Sequence, residues 1–196
     1  MSKKTILASY WADNQEQVNI AVADYEDLVR AKNKQAISEM IYHRFFERYI
    51  KPFIFSNKDY QKRYKNGFAM MANGCLLIES LESFYQGWET TQDRGDTVFK
   101  SFFRRFPSFK GFQKIPFYKN IRCGILHQAE TTGGYKISRK GPIRDNQTKT
   151  INATKFLEQL HICLNEYQKE LCQAEWDSEI WDNFRRKMRS IIRNCD

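Results

Sequence analysis

No acidic residue lies between Thr97 and Ala129, an interval that holds seven basic ones: Lys100, Arg104, Arg105, Lys110, Lys114, Lys119 and Arg122. In a chain of 196 residues with a net charge of +9, this is the strongest local charge bias, and it raises the surface potential toward polyanions such as nucleic acids. Also missing is any run approaching roughly 18 consecutive apolar residues, which excludes a membrane-spanning helix. The N-terminal MSKKTILASYWADNQEQ carries neither the apolar region nor the small-residue cleavage site of a secretory signal, so the expected location is cytoplasmic. The five cysteines, Cys75, Cys123, Cys163, Cys172 and Cys195, are odd in number and form no CxxC pair. They read as reduced thiols within apolar helices, not as a disulfide framework. With no carboxylate cluster and no His/Cys ligand set in view, the expectation is neither metal nor cofactor. Repeats, interdomain linkers and low-complexity tracts are lacking as well.

What is present is helical periodicity. Apolar residues recur at intervals of three and four through most of the chain, which predicts an all-α fold in one domain over residues 1–196. The spacing of Val18, Ala21, Val22, Tyr25, Leu28 and Val29 predicts a first helix. A second carries Ile37, Met40, Ile41, Phe45 and Tyr49 and stops before Pro52, with a loop or short helix up to about Asn66. GFAMMANGCLLIESLESFYQGW, from Gly67 to Trp88, is apolar on a wide face and reads as the central helix of a bundle. Phe99, Phe102, Phe103 and Phe106 share a face of the next helix, which Pro107 closes. Their spacing assigns them to the core and not to a base-stacking platform. Pro116 suits the first turn of the helix PFYKNIRCGILHQAE. Periodicity dissolves over TTGGYKISRKGPIRDNQTK, residues 131–149, which predicts a long loop or small β-hairpin. Asn152 can cap a helix bearing Phe156, Leu160 and Tyr167, and a final helix carries Trp181, Phe184 and Met188 with a basic opposite face.

The chemistry-bearing residues are Arg122 and His127, in IRCGILHQAETTGGYK. Arginine, four residues, then histidine late in a helix resembles the HEPN superfamily of nucleotide-binding and ribonuclease domains. Cys123 stands where that family commonly has a polar residue such as Asn. The resemblance implies an all-helical, HEPN-like bundle and a metal-independent endoribonuclease with catalytic Arg122 and His127. It further implies products with a 2′,3′-cyclic phosphate and a 5′-hydroxyl, and a role as a toxin or anti-phage defence effector. A neutralising antitoxin or a sensor protein is then the expected partner.

Independent of the resemblance, the two residue types suit RNA cleavage. Histidine transfers protons near neutral pH, to and from the 2′-hydroxyl and the leaving 5′-oxygen. Arginine offers a permanent forked charge to phosphate oxygens as negative charge builds. On a straight α-helix Arg122 and His127 lie roughly 140° apart around the axis and about 7.5 Å apart along it, so one helix cannot aim both at a single atom. A twofold axis would bring them together, and Cys123 and Leu126 form the semi-apolar strip on which a homodimer would pack, beside Lys119. RNA contacts are expected from Lys119, Arg104 and Arg105, and from the loop residues Tyr135, Lys136, Arg139 and Lys140. In that loop Arg144 and Lys149 add charge against the one acid, Asp145. His43 and His161 read as ordinary helix residues. Two alternatives stay open: a catalytically silent HEPN-like module that binds RNA or a nucleotide, and a helical adaptor whose charge only keeps it soluble.

Overall fold

The computed structural model describes residues 4–54 and 65–195, and these group into two compact units. One comprises Met1–Arg48, Ser83–Thr90 and Leu164–Asp196, the other Tyr49–Glu82 and Thr91–Cys163. The loop or short helix expected before Asn66 falls mostly on residues 55–64, outside the described ones.

In the first unit, strands β1 (Ile6–Trp11) and β2 (Gln17–Ala21) pair antiparallel, with a bulge between Ile6 and Ala8. Helices α1 (Val22–Arg30) and α2 (Lys34–Phe45) follow, and a π-helical turn over Phe46–Ile50 continues α2. Asn33 caps α2, its Oδ1 accepting the Ala36 N–H at 3.1 Å. Arg44 donates to the Leu7 carbonyl and ties β1 to α2. The unit's core is aromatic: Phe84 meets Phe45 edge-on at 5.5 Å and Phe184 at 5.4 Å, and buried Trp181 donates from Nε1 to the Leu171 carbonyl at 3.0 Å.

The second unit holds most of helix α3 (Gly67–Gln86), then α4 (Gly95–Arg105), short 3₁₀ turns at Pro107–Phe109 and Phe112–Lys114, and a π-helical turn over Tyr118–Cys123 that runs into the short α5 (Gly124–Gln128). Strands β3 (Lys136–Ser138), β4 (Arg144–Asp145) and β5 (Thr150–Asn152) form a mixed sheet in the order β3-β5-β4. Helix α6 (Ala153–Gln173) starts here, capped by Asn152, whose Oδ1 accepts the Lys155 N–H at 3.2 Å. Helix α7 (Glu179–Arg193) belongs to the first unit. Phe99, Phe102, Phe103 and Phe106 are all buried, and Phe103 lies within 5.5 Å of Phe109, Phe112 and Phe117, ring centre to ring centre. The interleaved phenylalanines of the basic segment are thus core, as their spacing predicts.

The all-α expectation, and with it the all-helical bundle, does not hold. The chain is 63% helical, and five strands occur among the described residues. Two local features explain the difference. Val18 and Ile20 alternate as strand residues do, while Val18, Ala21, Val22 and Tyr25 also satisfy helix spacing, so the helix period runs on backwards through β2. Between residues 131 and 152, β3 and β5 pair in parallel, a non-local arrangement that no turn signal announces.

Candidate functional site

The motif helix is not a straight α-helix. Over Tyr118–Cys123 it widens into a π turn, in which backbone hydrogen bonds join residues five apart and so bring such residues toward one side. Arg122 lies near the end of this turn, and His127 lies beyond it in α5. Their side chains meet within one chain, with Arg122 Nη1 at 3.4 Å from His127 Nε2. The two long side chains span the separation of their backbones, so no second chain is needed to bring them together. A guanidinium only donates, so the contact is a hydrogen bond in the tautomer that carries its proton on Nδ1.

A third residue, Glu79 on α3, completes the cluster. Its Oε1 accepts from Arg122 Nε at 2.8 Å and its Oε2 from Nη2 at 3.5 Å. Both side chains are mostly buried, 20% exposed for Arg122 and 16% for Glu79, so little solvent screens the pair. Burial acts to lower the Arg122 pKa, but the hydrogen bond and charge of Glu79 raise it further, and the net direction is up. The Nε/Nη2 edge is thereby committed to Glu79, while Nη1 faces His127, which is exposed. On the other flank the Arg122 guanidinium lies 5.6 Å from the Tyr118 ring centre. The Tyr118 hydroxyl is pushed up first by its hydrogen bond to Cys123 and then by burial. Gly95 makes room for that ring, since a Cβ there would lie 2.7 Å from it.

The turn after α5 is packed equally closely. Ala129 leaves the helix in the left-handed conformation, and the chain folds back over Gly124, where a Cβ would meet the Glu130 carbonyl oxygen at 2.5 Å. Thr132 then donates its N–H to the Asn120 carbonyl at 2.9 Å.

Of the other expected site residues, Lys119, Lys136, Lys140 and Arg104 are exposed. Several more are tied to their own unit. Arg105 pairs with the fully buried Glu82 at 3.2 Å, and Arg139 donates to Asn66 at 3.1 Å and to Thr154 at 3.3 Å. Arg144 donates to the Gly111 carbonyl at 2.8 Å. Lys149 donates to the Gly133 carbonyl at 3.0 Å, and its Nζ lies 5.8 Å from the ring centre of half-buried Tyr135. Leu126 is 39% exposed beside half-buried Cys123. His43 stacks on Tyr10 at 3.7 Å, and half-buried His161 has its pKa lowered by burial. Among the described residues no three His, Cys, Asp or Glu side chains come close enough to hold a metal ion, and no helix is long and apolar enough to cross a membrane.

Glu79 and Tyr118 were not singled out from the sequence. For Glu79 a signal existed: it and Glu82 are charged residues inside the apolar helix GFAMMANGCLLIESLESFYQGW, and a charge in such a setting requires a partner. Comparison of the chain with protein-family models, curated proteins and solved structures found no match in any of the three.

Proposed function

We propose that the chain is a metal-independent endoribonuclease of the HEPN type, in which Arg122 and His127 act on the phosphodiester. The observation that carries this reading is the 3.4 Å approach of an exposed histidine nitrogen to an arginine whose other edge is held by a carboxylate. The exposed imidazole of His127 accepts the 2′-hydroxyl proton. The 2′-oxygen then attacks phosphorus, the bond to the 5′-oxygen breaks, and a cyclic phosphate and a 5′-hydroxyl result. Arg122 stabilises the charge gathering on the non-bridging oxygens from a position fixed in advance, so no reorganisation is needed as the reaction proceeds. The leaving oxygen must also gain a proton, and one chain offers one histidine here. A homodimer meeting over Leu126 and Cys123 would place a second His127 at the same cleft to supply it. By resemblance, such an enzyme acts in the cytoplasm as a toxin or anti-phage effector under the control of an antitoxin or a sensor protein.

One observation favours a second reading, a catalytically silent RNA-binding module: the Glu79 carboxylate offsets the positive charge that Arg122 would offer to phosphate. The test is incubation of the purified chain with labelled RNA in EDTA. Cleavage yielding 2′,3′-cyclic phosphate and 5′-hydroxyl ends supports the nuclease. RNA affinity without cleavage supports the silent module, and 3′-hydroxyl with 5′-phosphate ends would rule out transesterification.

A further inference from the structure

Within the first unit a groove of about 560 Å³ opens between α1 and α7. Tyr25, Val29 and Ile192 make its floor apolar. Its rim carries four guanidinium groups, Arg30 from α1 and Arg185, Arg189 and Arg193 from α7, against one carboxylate, Glu26. The three arginines of α7 follow one another at intervals of four, so their charges repeat about every 6 Å along a line of about 12 Å. Three of the four are held in place by their own chain. Arg30 pairs with Asp27, Arg193 with Glu89 at 2.7 Å, and Arg185 with Asp182 at 2.5 Å while its guanidinium lies 4.8 Å from the Trp176 ring centre. Arg189 is exposed and holds no carboxylate among the described residues. The Tyr25 hydroxyl has its pKa raised by burial, against the opposing pull of Arg185 and Arg189, so the floor stays uncharged.

We infer that this groove docks an acidic amphipathic helix of a partner protein. A helix bearing carboxylates at every fourth position repeats them at the same spacing of about 6 Å as the arginine stripe. The apolar ridge beside those carboxylates meets the floor of Tyr25, Val29 and Ile192. A single small anion would want guanidinium groups converging on a point, whereas these lie along a line. An RNA strand could follow the line, but Tyr25 is buried and offers no open face on which a base could stack, and the strand meets Glu26 on the wall. The Arg30–Asp27 and Arg193–Glu89 pairs are exposed, and exchanging them for a partner's carboxylates costs little, whereas Arg185, itself mostly buried, stays in its own pair. This inference stands apart from the ribonuclease reading and from the residues that carry it.

The probe is a fluorescein-labelled helical peptide with glutamate at every fourth position beside a leucine ridge, titrated with the full chain and followed by anisotropy. A version with glutamine for glutamate and a single-stranded RNA oligonucleotide are titrated in parallel. Saturable binding that weakens with salt is expected. The glutamine peptide should bind about tenfold more weakly, as should the glutamate peptide to Arg189→Glu, where attraction becomes repulsion. Arg189 is exposed, so that variant should keep its fold, which circular dichroism checks. Val29→Ser, which removes part of the floor without changing charge, should also weaken the peptide. Failure of the glutamate peptide to bind in the micromolar range, or equal binding to Arg189→Glu, overturns the inference. So does dependence on Arg189 seen with the RNA alone.

Discussion

Two hydrogen bonds from Arg122, at 2.8 and 3.5 Å, give Glu79 control over the plane of the guanidinium and over which edge faces His127. Glu79→Gln preserves the shape of the side chain but removes its charge and leaves one acceptor oxygen where two were used. The variant should lose about 1–2 kcal/mol of stability in urea denaturation, as expected for charge-assisted hydrogen bonds between mostly buried groups. Turnover on RNA should fall by more than RNA affinity does, since the arginine remains but is no longer aimed. Unchanged turnover would show that the orientation of Arg122 does not depend on Glu79. At this scale the sequence was half legible. Arg122 and His127 stand close enough along the chain to be read together, whereas Glu79 lies forty-three residues earlier. Its charge inside an apolar helix announced that it needed a partner, but only the packing of α3 against the motif segment says which one.

Arg122 lies at the end of the π turn over Tyr118–Cys123, a widening that periodicity could not reveal. Phe117, Ile121 and Ile125 are buried and satisfy α spacing, so one widened turn leaves the apolar pattern intact. The most sensitive position in this element is Gly124, between Arg122 and His127. Because the atoms facing its missing side chain are backbone, Gly124→Ala forces the returning chain at Glu130–Thr132 to move. We expect a loss of about 1–3 kcal/mol, the usual cost of overpacking, measured by thermal or chemical denaturation. A stability equal to that of the parent would mean that the return turn yields freely and does not brace the motif. The helices α2, α3, α4 and α6 were legible because long amphipathic or apolar segments carry their own signal. Strands β3 to β5 were not, because two or three residues each are too few to show alternation, and their pairing is set by chain segments up to fourteen residues apart.

Across the whole molecule, the charge of +9 suits a polyanionic substrate, yet Arg105 and Arg139, two of the cations expected to hold RNA, are bound to their own chain. Lys119, Lys136, Lys140 and Arg104 are the exposed remainder. The proposed dimer rests on Leu126, 39% exposed next to the motif, and on the need for a second proton-transfer group. Leu126→Glu sets two carboxylates against each other at that interface and should yield monomers by sedimentation with cleavage lost. A monomer that cleaves at the parental rate would contradict the shared site, though not the pairing of Arg122 with His127 inside each chain. That pairing is tested most directly by single-turnover cleavage of labelled RNA in EDTA, with the parent chain and His127→Ala compared at equal concentration. His127 is exposed, so the variant should keep its helicity and melting temperature, and the account predicts that it releases no product while still binding the RNA. Cleavage by His127→Ala at the parental rate would contradict it.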